Sequence, residues 1–399
     1  MTLSRRSFLK TTAALTASAV ATGNVLGANE TLNVGVIGTG GRARFLMKSL
    51  VKVPNVRIAA VCDVWDNHLE QGKLLADPKA FATKVYHDLL ARKDIDAVLI
   101  GSPDHWHVPM TIDACAAGKD VYVEKPLTHS LEEGRAVIEA VNKHKKIVQV
   151  GTQQRSMTHI QKAYDLVRAG RIGKVYKVHL TWNRNSDRVR KNPLGVDPKS
   201  VDWNAFLGSA PKQAFDEYRF RNWRWFWDFG GGLFTDLMVH WIDVAHWILD
   251  LDHPTRAVAL GQHTVSKDVW ETPDTVQTIL NYPGDVQAYF EGTFSNARNG
   301  AMIEFMGTDA TLYIDRGRYE IHPERGRGQA EELVLGTGPR GKDFYDKPDG
   351  ELLHLMNWID CVRSRKAPSA PVEAGVGAAS AAHLANQALR TGQTATWKN

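Results

Sequence analysis

Cysteine is scarce in this chain. The three thiols, Cys62, Cys115 and Cys361, are odd in number and far apart, which excludes a disulfide framework. Cys62 ends an apolar run and Cys115 sits in an Ala-rich helical pattern, so both read as small buried hydrophobes. No apolar run reaches the ~20 residues that a spanning helix needs, which excludes a membrane span in the mature chain. Charge of one sign is not massed anywhere. The 49 Lys and Arg stand against 44 Asp and Glu, and the basic residues are scattered apart from short runs such as that at 184–191. That excludes a nucleic-acid-binding stripe. Repeats at solenoid spacing and low-complexity tracts are missing too. What remains is 43% apolar and 23% charged, ordinary globular composition over a length that suits two or three domains.

The N-terminus differs from everything after it. Ser4-Arg5-Arg6-Ser7-Phe8-Leu9-Lys10 leads into a short Ala- and Thr-rich apolar stretch, then Gly27 and Ala28. A basic start, a short apolar run and a small-residue exit describe a secretory signal. The paired arginines followed by Phe8-Leu9-Lys10 resemble the twin-arginine version. The expectation is a signal peptide over 1–28, cleaved after Ala28, and a mature protein that works in the periplasm or otherwise outside the cytoplasm. Few cysteines suit a chain that folds before export.

From residue 31 to 150, apolar strand-like runs alternate with helical patterns. Asn33–Ile37, Val56–Asp63, Ala97–Ile100, Asp120–Glu124 and Ile147–Val150 are the strands. The alternation predicts a doubly wound parallel sheet with helices on both faces. After Gly151 the texture changes. Val175–Trp182 alternates with a period of two, and similar runs follow at Val258–Leu260, Val276–Tyr282, Val286–Phe294, Met302–Met306 and Thr311–Ile314. They predict a mainly antiparallel open sheet with one solvated face. Helices are expected at about 233–249, 351–362 and 374–391. The fold class is therefore α/β: a Rossmann domain over 31–150 and an α+β domain over 151–399 for substrate binding and oligomerisation. The cleft between them is the default site.

Gly38-Thr39-Gly40-Gly41-Arg42-Ala43 lies between the first strand and a helix. Gly38 permits a tight turn, Gly40 lets backbone approach a pyrophosphate, and Ala43 lets the helix pack close to the strand. The helix start presents N–H groups to phosphate, so Gly41 and Arg42 join the cofactor set. Asp63 ends the second strand about 20 residues on, where a carboxylate accepts from ribose hydroxyls. It repels a 2′-phosphate and favours NAD. Arg42 and Arg44, close in sequence, keep NADP as an alternative.

Glu124-Lys125-Pro126, together with this turn, Ser102-Pro103-Asp104-His105-Trp106-His107 and Gly151-Thr152-Gln153-Gln154-Arg155, resembles the glucose-fructose oxidoreductase, inositol dehydrogenase and rhizopine-catabolism (Gfo/Idh/MocA) family. The resemblance spans essentially the whole chain after the signal. It implies oxidation or reduction of a hydroxyl or carbonyl on a sugar or cyclitol, in a dimer or tetramer. It also implies that Ser102, Pro103, Trp106 and His107 wall the cofactor, that Glu124, Lys125 and Gln154 reach it, and that Arg155 faces the substrate. Read physically, Lys125 stands at the carboxyl edge of a parallel sheet, where ligands bind. An ammonium there stabilises a developing alkoxide. The alternative is a surface lysine paired with Glu124.

Asp236 and His240 are four apart on one helix, after Gly230-Gly231-Gly232. Three glycines free backbone for close approach to a ligand. A carboxylate beside an imidazole fixes its tautomer and raises its basicity. The pair matches the family's catalytic pair, with His240 as general base and Asp236 as the orienting or substrate-binding acid. The alternative is a helix-stabilising pair; Asp243 is a further candidate for the same face. His105 and His107 lack a third ligand of matching kind, so no metal is expected. In an extended Arg219–Trp227 segment, Trp223, Trp225 and Trp227 share one side. Trp225 is then a platform for a sugar ring or a packing residue.

The leading expectation is hydride transfer between NAD and a carbohydrate carbon, by Lys125, Asp236 and His240, with substrate also met by Arg155 and Trp225. Outside the cytoplasm no free nicotinamide pool recycles the cofactor, so it is expected to stay bound and be regenerated within the site. A second reading is NAD-dependent, redox-neutral glycoside hydrolysis. A third is a non-catalytic binding protein.

Overall fold

A computed structural model describes residues 30–185, 189, 193–326, 328–335, 339–341 and 349–397. The predicted signal over 1–28 lies outside the described residues. Six strands form the first sheet: β1 Leu32–Ile37, β2 Val56–Cys62, β3 Phe81–Thr83, β4 Ala97–Ile100, β5 Asp120–Val123 and β6 Val148–Val150. Their order is β3-β2-β1-β4-β5-β6 and every pairing is parallel. The order reverses between β1 and β4, the switch point at which doubly wound sheets bind ligands. β1, β4 and β5 are buried almost throughout, as continuous Val/Ile/Leu runs require when helices cover both faces.

The second sheet has nine strands: β7 Val175–Asn183, β8 Arg256–Gln262, β9 Thr275–Tyr282, β10 Val286–Thr293, β11 Ala301–Gly307, β12 Ala310–Asp315, β13 Arg318–Pro323, β14 Glu331–Val334 and β15 Ala395–Thr396. Their order is β14-β13-β12-β11-β7-β10-β9-β8-β15. Pairing is antiparallel except between β10 and β7. One face packs on the helices 239–249 and 372–391; the other carries a register row of Val258, Ile279, Tyr289, His179 and Glu304. Val258 and Ile279 in that row are exposed.

Two expectations change here. The helix Gly350–Ser364 lies between β14 and β15 of the second sheet in sequence but packs in the core of the first: Leu355, Trp358 and Ile359 are fully buried in a cluster with Val34, Leu46 and Leu99. A boundary at 151 therefore does not divide the cores, because the apolar face of this helix is needed to cover the first sheet. The segment Arg219–Trp227 is not extended. It forms a helix over Glu217–Arg221 and a 3₁₀ turn over Trp223–Trp225, started by the Asp216 side chain accepting from the backbone N–H of Tyr218 and Arg219. An N-cap carboxylate outweighs the strand preference of the tryptophans. Among the described residues no helix is long and apolar enough to cross a membrane.

Candidate active site

β1 ends at Ile37, and Gly38 takes φ +80°. A Cβ there would lie 2.7 Å from the backbone nitrogen of Ser102, so only glycine lets the turn sit against the β4 loop. The helix Gly41–Leu50 starts at Gly40 with no side-chain cap and no acid in its first turn. A Cβ on Gly41 would meet nothing within 4 Å. Uncapped N–H groups facing open space fit a pyrophosphate. Ala43 is fully buried, and a Cβ on Gly101 would come 2.9 Å from its Cβ, the close helix–strand packing expected of that position.

Gly38, Gly40, Gly41, Arg42, Asp63, Ser102, Pro103 and Trp106 all line one cavity of about 510 Å³. Asp63 accepts from the backbone N–H of Thr39 at 2.7 Å and of Trp65 at 2.9 Å, which fixes its carboxylate at the ribose end. Arg44 and Lys84 also line the cavity, and both are engaged. Arg44 donates to the Thr39 carbonyl at 2.5 Å, and Lys84 pairs with Asp66 at 2.6 Å. A fixed carboxylate with committed cations fits NAD better than a 2′-phosphate.

Arg42 itself is held by two carboxylates: Nε meets Glu124 at 3.0 Å and Nη1 meets Glu351 at 3.3 Å. Glu124 therefore pairs with Arg42 and leaves its neighbour Lys125 to another partner. Lys125 donates to Asp236 twice, to the backbone carbonyl at 2.7 Å and to Oδ1 at 3.0 Å. Arg224 reaches the same Oδ1 at 3.2 Å. Asp236 lies in a π-helical turn, Phe234–Met238, that opens the helix before Val239–Leu249; such turns recur at functional sites.

The expectation that Asp236 orients His240 and raises its basicity does not hold. The carboxylate goes to two cations, which bind it more strongly than a neutral imidazole does. His240 Nδ1 instead meets Gln154 Oε1 at 3.2 Å, and the ring stacks on Trp182 at 5.1 Å. Burial, then the nearby Lys125, hold His240 well below its ordinary pKa. Gln154 Nε2 is a buried donor without a partner among the described residues, which suits a residue that meets a ligand.

His107 does not line the cavity. Its Nδ1 lies 2.6 Å from the Pro126 carbonyl and its Nε2 2.9 Å from that of Ser102, so it ties the β4 loop to the Lys125–Pro126 step. His105 Nε2 and Trp106 Nε1 both reach the Phe206 carbonyl.

Two predicted substrate residues lie elsewhere. Arg155 is buried and forms a bidentate pair with Asp243, both contacts 2.8 Å, so neither of these two residues joins the Lys125–His240 cluster. Trp225 is 3% exposed and stacks on Trp270 at 4.4 Å; its neighbours Trp223 and Arg224 line the cavity in its place. The glycine triplet likewise meets protein. A Cβ on Gly230 would strike the Arg224 backbone, on Gly231 the side chains of Thr235 and Asn386, and on Gly232 that of Thr272.

Sequence reasoning missed Glu351 and Gln153, which meet at 3.2 Å behind Arg42. It also missed Arg224. No local pattern marks these residues; the arginine-rich stretch around 219–224 was the one available signal for Arg224.

The geometry agrees with the comparisons. A model described as an oxidoreductase family with an NAD-binding Rossmann fold matches residues 32–152, and the Gfo/Idh/MocA C-terminal domain matches 160–313. The chain is 25% identical over 343 residues to a scyllo-inositol 2-dehydrogenase (NAD(+)) of Bacillus subtilis, covering 84% of this chain and 86% of that protein. The solved myo-inositol 2-dehydrogenase of Lactobacillus plantarum superposes with a TM-score of 0.70 at 22% identity, over 92% of this chain and all of that one. A glycosyl hydrolase family 109 protein of Shewanella woodyi is 35% identical, but over 127 residues, 29% of this chain and 27% of that protein. With two matched domains in tandem over most of its length and a cavity built for the dinucleotide, the chain belongs to the Gfo/Idh/MocA family of NAD-dependent oxidoreductases.

Proposed function

We propose that this chain transfers hydride between NAD and a hydroxyl-bearing carbon of a sugar or cyclitol outside the cytoplasm, and keeps its cofactor bound through a closed redox cycle. One observation carries the chemistry: an ammonium with a donor to spare next to an imidazole with a lone pair to spare. Lys125 has three N–H donors, and two go to Asp236. The third remains for a substrate oxygen, where a fixed positive charge stabilises alkoxide character. With Nδ1–H given to Gln154 Oε1, His240 keeps Nε2 as the proton acceptor. Its lowered pKa keeps that lone pair available below neutral pH. Asp236 positions Lys125, and Arg224 closes the other side of Asp236.

Bound NAD supplies the hydride acceptor. Gly40 and Gly41 would take its pyrophosphate, and Asp63 its ribose. The cyclitol dehydrogenases among the relatives support the substrate class. The Arg5-Arg6 signature supports export, and export supports retention of the cofactor. The solvated row of Val258, Ile279 and Tyr289 supports assembly through the open sheet into a dimer or tetramer.

Denaturing the purified, folded protein is expected to release close to one NAD per chain; a chain that purifies empty and binds NAD weakly overturns the closed cycle. Adding myo-inositol, scyllo-inositol or D-glucose is expected to raise absorbance at 340 nm, and a keto sugar to reverse it. No response to any of these polyols overturns the substrate class. Release of nitrophenol from p-nitrophenyl glycosides without net NADH moves the reading to redox-neutral hydrolysis.

A further inference from the structure

A second crevice, of about 270 Å³, has no part in the roles above. It lies at the far end of the helix that carries His240, between the last turn of Val239–Leu249 and the first turn of Val372–Thr391. Two side chains that line it, Arg155 and His246, are more than nine-tenths buried. Arg155 holds Asp243 and the Ser369 carbonyl. His246 Nε2 meets the Tyr282 hydroxyl at 2.8 Å, and Tyr282 is not in the lining. His246 Nδ1 is buried and has no partner among the described residues. Such an orphaned nitrogen is costly, and the crevice is the space that its ring borders.

The lining carries both signs. Glu373 and Ala374 come from the first turn of Val372–Thr391, which follows Pro371 and has no side-chain cap. Uncapped N–H groups attract an anion, and Arg155 and the exposed Arg168 stand on the same lining. Asp250 ends the other helix, where the carbonyls attract a cation, and Asp252 follows, shared with His253 at 2.8 Å. Trp247, stacked on Tyr164 at 4.5 Å, adds an apolar wall. Among the described residues no three acidic, imidazole or thiol side chains converge as a metal site requires, so the cation that fits is organic. The volume lies below the roughly 300–1,000 Å³ of drug-sized sites, which limits the ligand to a small molecule.

We propose that this crevice is a regulatory site for a small zwitterion of the amino-acid class. Its carboxylate meets Arg168, Arg155 and the uncapped helix start. Its ammonium meets Asp250, Asp252 and the lone pair of His246 Nδ1, with Nε2–H given to Tyr282. Occupancy reaches the reaction through two short steps. Arg155 follows Gln154 in the chain, and Gln154 Oε1 holds His240 Nδ1 at 3.2 Å. Asp243, the bidentate partner of Arg155, lies three residues after His240 on the same helix. A ligand carboxylate draws the Arg155 guanidinium away from Asp243 and Gln154 moves with it, so occupancy lowers kcat. Binding does not depend on the polyol reading; the effect on turnover does.

The test is calorimetric titration of the NAD-bound holoenzyme with L-alanine and with its two halves, ethylamine and propionate. Saturable binding of L-alanine is expected, at least about tenfold tighter than either half, because each half lacks one set of charge-assisted hydrogen bonds. Ethylamine or propionate binding as tightly as L-alanine overturns the zwitterion, and no heat with any of the three overturns the site. Arg168→Gln and Asp250→Asn locate the ligand. Both residues are exposed, so the variants keep the fold and the basal turnover. Each is expected to weaken L-alanine about fivefold. Unchanged binding in both variants puts the ligand elsewhere and overturns the assignment. Saturating L-alanine is expected to lower wild-type kcat on myo-inositol by about twofold or more, with KM for NAD unchanged. An unchanged kcat overturns the regulatory role. If no polyol is turned over, the polyol reading fails, and the calorimetry still decides the site.

Discussion

Lys125→Met lowers kcat/KM by about 10³-fold or more and leaves NAD affinity within twofold. Met keeps the length of the side chain and removes the three donors. One preorganised donor to a developing oxyanion is worth roughly 10²–10³-fold, and here the full charge goes with it. Asp236 then keeps Arg224 at 3.2 Å but loses the partner that it positions, so a further loss through geometry is expected. Arginine is no substitute, because a planar fork cannot replace a compact ammonium that donates to both a carbonyl and Oδ1 of one residue. The contacts that hold the cofactor turn are different ones: Gly38 packs on Ser102 and Asp63 accepts from Thr39 and Trp65, whereas Lys125 donates to Asp236. Steady-state NADH formation and quenching of protein fluorescence by NAD check the two halves. Activity within tenfold of wild type removes Lys125 from the chemistry.

The parts of this site that could be read in the sequence are those whose physics is local. Gly38, Gly40, Ala43 and Asp63 act through a turn, a helix start and a strand end, and each lies where the spacing placed it. The period of two in β7 and the continuous runs of β1 and β4 gave the sheets for the same reason. What escaped depends on which distant groups meet. Asp236 and His240 sit four apart, yet their partners, Lys125, Arg224 and Gln154, come from three other segments. Arg42 lines the cavity, and its guanidinium is held there by Glu124 and by Glu351, 309 positions away, which no local pattern announces. Trp225 carried a plausible aromatic signature, but its partner Trp270 decides that it is core. The π turn at Phe234–Met238 has no sequence rule that would have announced it.

Acid is expected to unfold this protein between pH 6.5 and about 4, earlier than carboxylate protonation alone would. His105, His107, His354 and His383 are pushed down to about 4 by burial, and His246 to about 3. Their ring nitrogens face carbonyls and hydroxyls inside the fold, as His354 does at Ser156 and Val150 and His246 at Tyr282. A folded-state value below the unfolded one means that the unfolded chain takes up protons first. Their contribution is complete above about 6.5 and is lost as pH falls toward the folded values. Each such group costs roughly 1.4 kcal/mol per pH unit. Asp104 and Glu133, whose values are raised by burial, act in the opposite direction, and His129, His159 and His240, lowered by burial, act with the five; His179, whose value is raised, is protonated in both states below about 6.5 and changes nothing in this window. The lowered histidines outnumber the groups that act the other way, so the net effect in this window is a loss of stability as pH falls. Urea midpoints at pH 7.5, 6.0 and 5.0 should fall steeply across the lower two values. Equal midpoints at 7.5 and 5.0 mean that these histidines take up protons without leaving the fold, and the buried-neutral assignment, including that of His240 as a lone-pair base, is then wrong.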